Sequence, residues 1–293
     1  RQPVILVADP GVDDAAAVLY ALANPQLEIL GICANFGVVD AATAAKNTLL
    51  LVEKAGAADV SVYLGADHPL GELPRAQRGA AGGRNFHGPH GLGPGEPVYP
   101  GHLSVNTTVS AVEFILQTCR SRPGEVSVVV FSPPTTLAQA VSADPRLVSY
   151  VKAVYVMGGA LFSAGNTSPL AEANFANDAA GTALVIAQFS EKLTIAPLDT
   201  TLQVLYSENV LPRMAESCGE TANWLLGFLA PFYLKAYRDI AGAQRSTGFM
   251  PLHDVHALMA LTNPEIYKSQ RMAVVVTRPG DATNGMMFTD RRS

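Results

Sequence analysis

Charged residues are scarce in this chain of 293 residues: Asp, Glu, Lys and Arg make up 15%, and the formal net charge is −5. No cluster of Lys and Arg forms the basic stripe that nucleic-acid backbones need, so we expect no nucleic-acid partner. No apolar run is long enough to cross a bilayer, and we expect no membrane partner. Hydrophobic residues make up 48% of the chain, which is enough for a large buried core.

Cysteine is also rare. The three cysteines, Cys33, Cys119 and Cys218, lie far apart, and no pair has the CxxC spacing of thiolate zinc sites or redox motifs. Free thiols are typical of a reducing compartment, and the first residues lack the pattern of a signal peptide. We therefore expect a cytoplasmic protein.

Short runs of Val, Ile and Leu alternate with segments of helical spacing along most of the chain. PVILVAD and EVSVVVFS are compact apolar runs, whereas DDAAAVLYALAN and DAAGTALVIAQFS have the spacing of helices. Apolar strands separated by helices predict a mostly parallel open sheet with helices on both faces and a Rossmann-like core. Because no linker or repeat divides the chain, we expect a single α/β domain over residues 1–293.

Three stretches depart from this alternation. Residues 65–100 are rich in Gly, Pro, Arg and His, and they predict a long active-site loop, because loops of such length are usually functional or disordered. We expect irregular structure again over residues 161–177 and a helical insertion over about 205–250. RMAVVVT, near the end of the sequence, predicts a further strand.

The clearest chemical signal is the acidic segment ADPGVDDA, where the first strand is followed by the first helix. Ligands of parallel α/β sheets bind at the carboxyl ends of strands, which is where Asp9 lies, and Asp13 and Asp14 fall at the start of the helix. Carboxylates this close repel one another, and a helix N-terminus offsets only about 0.3–1 kcal/mol per charge. A hard divalent cation, Ca²⁺ or Mg²⁺, would offset much more.

The residues of this segment also allow interpretations that need no metal. Asp13 and Asp14 are suitable capping residues whether or not a metal binds. A phosphatase-like nucleophilic aspartate is a second alternative, although Pro-Gly directly after Asp9 does not fit the usual DxDxT arrangement. A phosphate-binding loop is disfavoured, since neither GxxxxGK[ST] nor GxGxxG occurs at this turn.

ADPGVDDA resembles the DxDPGxDD signature of the inosine-uridine-preferring nucleoside hydrolases. Six more segments are similar to motifs of the same family, in the same order along nearly the whole chain: FHGPHGLG, SPPTTLAQA, VMGGALFSAGNTSPLAEANFANDAA, APLDTT, PLHDVHA and TNGMMFTD. The resemblance implies a nucleoside hydrolase-like fold and hydrolysis of the N-glycosidic bond of ribonucleosides to free nucleobase and ribose. It also implies a Ca²⁺ cofactor and a homodimer or homotetramer.

The resemblance assigns roles to the matching residues. Calcium would be held by Asp9, Asp14, Asp254 and the backbone carbonyl of Thr135. Asp9 would also be the general base for the calcium-bound water, with an oxocarbenium-like transition state. The nucleoside would be bound by Asp13, Asn166, Glu172, Asn174 and Asp254, and Asp178 matches the same motif as Glu172 without an assigned role.

Four further residues are candidates to contact the nucleobase. His253 adjoins a predicted metal ligand and titrates near neutral pH, so we expect it to protonate or steady the leaving base. His87 could do the same from the loop. Tyr233 and Tyr237, four apart on a predicted helix, share a face and could border the base or relay a proton. Core packing is an alternative role for the tyrosine pair.

Several positions differ from the family pattern. The differences are Val7 for an acid, Val38 for an asparagine that contacts the substrate, Ala173 for an aromatic residue and Thr136 for an asparagine. Asn35 is a nearby candidate to replace the amide missing at Val38. These changes predict a relaxed base preference or a relaxed requirement for the 2′-hydroxyl.

Two alternative functions are compatible with the sequence. One is hydrolysis of another N-riboside, such as nicotinamide riboside or a modified nucleoside. The second is a non-catalytic nucleoside-binding sensor that keeps the metal site. The retained acids at positions 9, 13, 14, 172 and 254 argue against a sensor.

Overall fold

The computed structural model describes residues 1–71, 81–216, 219–240, 248–278 and 283–289. Cys218, Asp290 and parts of the predicted active-site loop and helical insertion lie outside these residues.

The central sheet has six parallel strands in the order β3-β2-β1-β4-β5-β6, which confirms the predicted parallel sheet. The strand order changes direction between β1 and β4, and ligands of such sheets bind at the carboxyl ends of the strands beside that point. The strands are β1 Gln2–Ala8, β2 Leu27–Ala34, β3 Val62–Leu64, β4 Ser127–Val130, β5 Ala153–Met157 and β6 Leu193–Ala196.

Thirteen helices occur in the described residues. They are α1 Val12–Ala23, α2 Ala41–Lys54, α3 Ala81–His87, α4 Ala111–Ser121, α5 Thr135–Ala143, α6 Leu147–Tyr150, α7 Ala173–Asn177, α8 Ala179–Phe189, α9 Leu198–Thr201, α10 Leu211–Glu216, α11 Glu220–Trp224, α12 Ala230–Ile240 and α13 Val255–Thr262. A π-helical segment, Leu225–Leu229, joins α11 to α12, and Pro264–Ile266 forms a 3₁₀ turn.

Helices cover both faces of the sheet, as predicted. Successive side chains of a strand point to opposite faces, so β1 contributes to two cores. Val4 and Leu6 pack in the core with α1, α2 and α13, whereas Ile5 and Val7 pack in the core with α4, α5 and α8. Burial on both faces explains why the strand sequences are almost continuously apolar.

Local sequence explains where several helices begin. The Asp40 carboxylate accepts a hydrogen bond from the Thr43 N–H at 2.8 Å and caps α2. At α4, the Ser110 hydroxyl accepts from the Glu113 N–H, and the Glu113 carboxylate accepts from the Ser110 N–H. Helix α1 differs, because its capping position is Gly11, which has no side chain.

The described residues also form two small antiparallel sheets outside the central sheet. Strand β9 (Val274–Val276) pairs with β10 (Met287–Thr289), so the strand predicted in RMAVVVT forms away from the central sheet. Strand β7 (Leu205–Ser207) pairs with β8 (Phe249–Pro251) and closes the region that contains α10 to α12. The region predicted as a long loop is also partly ordered, because it includes α3.

Two expectations from composition can be compared with the described residues. Cys33 and Cys119 are free, buried thiols, and burial raises the pKa of both. Among the described helices, none combines the length and the apolar character that crossing a membrane requires.

Candidate functional site

Four aspartates meet at the carboxyl end of β1, close to the point where the strand order changes direction. Asp9 follows β1 directly, Asp13 and Asp14 lie in the first turn of α1, and Asp254 directly precedes α13. All four are buried. Carboxylate oxygens of Asp13, Asp14 and Asp254 lie within 4.8 Å of one another, a spacing at which one metal ion could contact all three.

Asp14 organises the turn between β1 and α1. Its Oδ2 accepts a hydrogen bond from the Gly11 N–H at 3.0 Å, and its Oδ1 accepts from the Asp9 N–H at 3.2 Å. Asp14 thus provides the capping interaction that Gly11 lacks. The capping alternative is correct for Asp14, but capping alone does not explain why three further aspartates are buried beside it.

The two carboxylate oxygens of Asp9 differ in their hydrogen bonding. Its Oδ2 accepts a hydrogen bond from the Val38 N–H at 2.5 Å. Its Oδ1 is buried and has no hydrogen-bond partner in the described structure. A buried acceptor without a partner is costly and rare in folded proteins. Gly37 makes room for this arrangement, because a Cβ at that position would overlap Asp9 Oδ2.

The electrostatics of the cluster favour proton or cation binding. Burial, followed by the charge of Asp14, raises the pKa of Asp9 well above its usual value. Burial and the charge of Asp13 raise the pKa of Asp14 to about 7 and also raise that of Asp254. A divalent cation among these oxygens would replace the protons that the raised pKa values favour.

Thr135 begins α5 and is fully buried. Its hydroxyl donates a hydrogen bond to Asp178 Oδ2 at 2.6 Å, and the Leu70 N–H donates to the same oxygen at 3.2 Å. Asp178 Oδ1 accepts from the Gly181 N–H and caps α8. Asp178, which had no assigned role, therefore joins Thr135 to the first part of the active-site loop.

Glu172 and Asn174 are buried at the start of α7. The Glu172 carboxylate accepts hydrogen bonds from the N–H groups of Gly159, Asn174 and Phe175 at 2.8–3.2 Å. Burial still raises the pKa of Glu172, and the charge of Asp13 adds to the shift. The Asn174 amide donates to the carbonyls of Phe131 and Met157, which orients its side chain between β4 and β5.

Asn166 is exposed, unlike the rest of the predicted ribose-binding residues. Its Oδ1 accepts a hydrogen bond from the Ala173 N–H at 2.9 Å, and its own N–H donates to the Ala171 carbonyl at 3.2 Å. In this conformation, Asn166 holds the 161–171 loop against the start of α7.

His253 is held between two hydroxyl groups. Its Nδ1 lies 2.6 Å from the Thr201 hydroxyl, and its Nε2 lies 2.9 Å from the Tyr237 hydroxyl. The Tyr233 hydroxyl donates to the Tyr237 hydroxyl at 3.5 Å, and the two rings are 5.0 Å apart, which confirms the predicted shared face. Tyr233 is also part of the buried core, so the predicted packing role is correct for that residue.

His87 connects the predicted loop to the acidic cluster. Its Nδ1 accepts a hydrogen bond from the Val12 N–H at 3.0 Å and lies 3.7 Å from Asp13 Oδ1. Burial lowers the pKa of His87, and an Nδ1 that accepts the Val12 N–H carries no proton. A Cβ on Gly11 would lie 2.5 Å from this nitrogen, so glycine at position 11 is required for the contact.

The departures from the family pattern have distinct structural settings. Val7 is fully buried in an apolar core. The Val38 backbone N–H donates a hydrogen bond to Asp9 Oδ2. Asn35 is fully buried, donates to the Pro133 carbonyl and accepts from the Thr136 hydroxyl. Asn35 is thus committed to protein contacts, and the structure does not support it as a replacement for the missing amide.

The segment APLDTT contributes two residues that carried no predicted role. Asp199 accepts hydrogen bonds from the N–H groups of Leu161, Phe162 and Ser163 at 2.7–2.8 Å and so holds the start of the 161–171 loop. Thr201 contacts His253. Their place in a matching motif was the only sequence signal for either residue.

A profile of the inosine-uridine preferring nucleoside hydrolases matches residues 4–293. The chain belongs to this family. It is 33% identical over 285 residues to a probable uridine nucleosidase 1 of Oryza sativa subsp. japonica, covering 97% of this chain and 83% of the relative. It is 31% identical over 291 residues to the inosine-uridine preferring nucleoside hydrolase of Leishmania major, covering 99% of this chain and 88% of the relative.

Solved structures of nucleoside hydrolases have the same fold. A plant nucleoside hydrolase superposes with a TM-score of 0.90 at 29% identity, covering 99% of this chain and 87% of that chain. A purine-preferring ribonucleoside hydrolase from Gardnerella vaginalis superposes with a TM-score of 0.88 at 26% identity, covering 99% and 89% of the respective chains. The predicted family, fold and enzyme class, nucleoside hydrolase, are therefore confirmed.

Proposed function

We propose that this nucleoside hydrolase cleaves the N-glycosidic bond of ribonucleosides at the acidic cluster and uses Asp9 as the general base. The observation that carries the proposal is the buried, unpartnered Asp9 Oδ1 beside three more buried aspartates. The raised pKa of Asp9 suits a group that accepts a proton from water.

The donor set fits a calcium ion. Asp9, Asp14 and Asp254 supply carboxylate oxygens, Thr135 would add its backbone carbonyl, and oxygen-only ligands are the preference of Ca²⁺. When bound, calcium supplies positive charge that stabilises these carboxylates and lowers the pKa of a water molecule. Asp13 belongs to the same oxygen cluster, so it lies close enough to share this region with a ribose hydroxyl.

Ribose binding falls to Asp13, Glu172 and Asn174 in this proposal. Each is buried, and buried polar groups discriminate well because a missing hydroxyl leaves them unpaired. The positive charge that develops on an oxocarbenium-like sugar would be stabilised by the surrounding carboxylates. Asn166 would join the binding site only if the 161–171 loop released its contact with Ala173.

The leaving nucleobase would contact the side of the site formed by His253, Tyr237, Tyr233 and His87. The Nε2 of His253 faces the Tyr237 hydroxyl, and the ring of His87 lies 5.0 Å from that of Tyr233. A proton or hydrogen bond donated to the base at this position would help it depart. The names of the relatives include uridine, inosine and purine preferences, and uridine and inosine are the substrates we propose first.

Ribose release tests the proposal directly. The purified protein would be incubated with uridine, inosine, cytidine and adenosine, in calcium and after treatment with EDTA. We expect ribose from at least uridine or inosine in calcium, and loss of activity in EDTA. Asp9→Ala should abolish turnover, while Asp144→Asn, which changes an aspartate paired with Arg120 and Arg146 outside the cluster, should not. Full activity of the Asp9 variant would show that another residue is the base.

Three expectations from the sequence stay predictions: a homodimer or homotetramer, a cytoplasmic location, and a relaxed base or 2′-hydroxyl requirement. The last is tested by comparing uridine with 2′-deoxyuridine in the same assay.

A further inference from the structure

Thr201 is a fully buried residue with no role in the proposed binding of calcium, ribose or nucleobase. It is the last residue of α9, and its hydroxyl lies 2.6 Å from His253 Nδ1. Its backbone N–H donates to the Pro197 carbonyl, so only the side chain is directed to the histidine. Its neighbour Thr200 has the same side chain, and its hydroxyl makes no hydrogen bond within the described structure.

The partner on one ring nitrogen of a histidine determines the state of the second nitrogen. Within the described residues, His253 Nδ1 is the one hydrogen-bond partner of the Thr201 hydroxyl. A buried hydroxyl that donated to nothing would leave its hydrogen unsatisfied, so the favourable arrangement is donation to an unprotonated Nδ1. The neutral ring then carries its proton on Nε2, which lies 2.9 Å from the Tyr237 hydroxyl.

We propose that Thr201 is a positioning residue that holds His253 as the Nε2–H tautomer, directed toward Tyr237 and the nucleobase side of the site. The inference rests on the role of His253 in the proposed function. The APLDTT segment, through Thr201, would thus orient His253 before the substrate binds. The hydroxyl also restrains rotation of the ring, because the contact is short and fully buried.

Thr201→Val tests this role with a nearly isosteric change. We expect kcat for uridine and inosine to fall about tenfold, which is the scale of one lost hydrogen bond at the departing base. KM should change little, because in this proposal Thr201 acts through His253 and not on the substrate. Hydrolysis of 4-nitrophenyl β-D-ribofuranoside should be almost unaffected, because nitrophenolate is a good leaving group that needs no hydrogen-bond donor. Thr201→Ser should restore most of the lost activity.

The matched control is Thr200→Val, the same change at the preceding residue of α9. It should leave all three substrates unaffected. An equal loss on nucleosides and on the nitrophenyl riboside in Thr201→Val would overturn the proposal, as would unchanged kcat on every substrate. Failure of Thr201→Ser to restore activity would also overturn it.

A measurement on the wild-type protein keeps the proposal testable if Thr201→Val does not fold. Imidazole ¹⁵N chemical shifts distinguish the two tautomers, and His253→Gln identifies the His253 signals among the six histidines. We expect a protonated Nε2 and an unprotonated Nδ1. A proton on Nδ1 would overturn the proposal. Absence of ribose release by the wild type would refute the proposed function instead, and the tautomer would still be measurable.

Discussion

Carboxylates occupy opposite environments in two regions of this molecule. At the carboxyl end of β1, burial and neighbouring acids raise the pKa values of Asp9, Asp14 and Asp254. Just before α6, hydrogen bonds from the largely exposed Arg146 and Arg120 hold the pKa of Asp144 well below its usual range, although Asp144 itself is mostly covered. Asp144 has two arginines as counter-charges, whereas no Lys or Arg among the described residues pairs with the cluster. An arrangement that destabilises the fold is kept where it serves a ligand.

Asp9→Asn should produce the largest effect. It removes the proposed base and one negative charge, and its amide nitrogen could donate to Asp14. We expect activity on uridine to fall by about 10³-fold, in the range for loss of an acid–base group. At alkaline pH, where the wild-type cluster is charged, the calcium-free variant should melt at a higher temperature than the calcium-free wild type, because repulsion is reduced. If the variant were inactive and also less stable than the wild type without calcium, repulsion among the buried aspartates would not be what destabilises the calcium-free protein.

Gly11→Ala should have the next largest effect and tests whether His87 belongs to the site. A Cβ at position 11 would displace the imidazole from the Val12 N–H, because this Cβ and His87 Nδ1 would be 2.5 Å apart. A displacement of about 1 Å can cost up to about 10²-fold in rate, so we expect kcat/KM for uridine to fall 10- to 10²-fold. Gly95→Ala is the control, since a Cβ there meets nothing within 4 Å. Similar kinetics for the two variants would exclude a role for His87.

Without calcium, the acidic cluster and Asp144 should change the thermal stability of the protein in opposite directions as pH rises. Carboxyl groups with raised folded pKa values stabilise the fold below their unfolded pKa of about 4 and lose that contribution as pH rises through the folded value. For Asp14 that value is about 7. In EDTA, Tm should therefore fall by several degrees between about pH 5 and pH 8. Saturating calcium should remove most of this decline, and a Tm independent of both calcium and pH would refute the cluster's role.

Asp144→Asn should produce the smallest effect. Because the folded pKa of Asp144 is lowered, its contribution is present above the unfolded pKa and is lost as pH falls through the folded value. The variant should be slightly less stable than the wild type near pH 7 and equally stable in strong acid, and its activity should be unchanged. Its arginine partners are more than half exposed, and ion pairs of exposed arginines contribute little, so thermal melts at both pH values are needed to detect the difference.

Sequence patterns predicted most of the fold because the central strands are apolar on both faces and helices such as α1 and α2, with 12 and 14 residues, are long enough to show helical spacing. RMAVVVT could not be placed, since its apolar residues fit either a central or a peripheral strand. Asp9, Asp14 and Asp254 were identified from their motifs, and their meeting follows from the positions of strand ends. The roles of Asp178, Asp199 and Thr201 could not be predicted, because each depends on contacts between segments distant in sequence. Asn166 was expected to bind ribose, but the motif does not predict its hydrogen bond with the Ala173 N–H.

Isothermal titration of the EDTA-treated, dialysed protein with calcium asks whether the acidic cluster is a metal site. We expect one calcium ion per chain, proton release that increases as pH is lowered, and loss of binding in Asp14→Asn but not in Asp144→Asn. Hydrolysis of uridine by protein that binds no calcium at millimolar concentration would contradict this expectation.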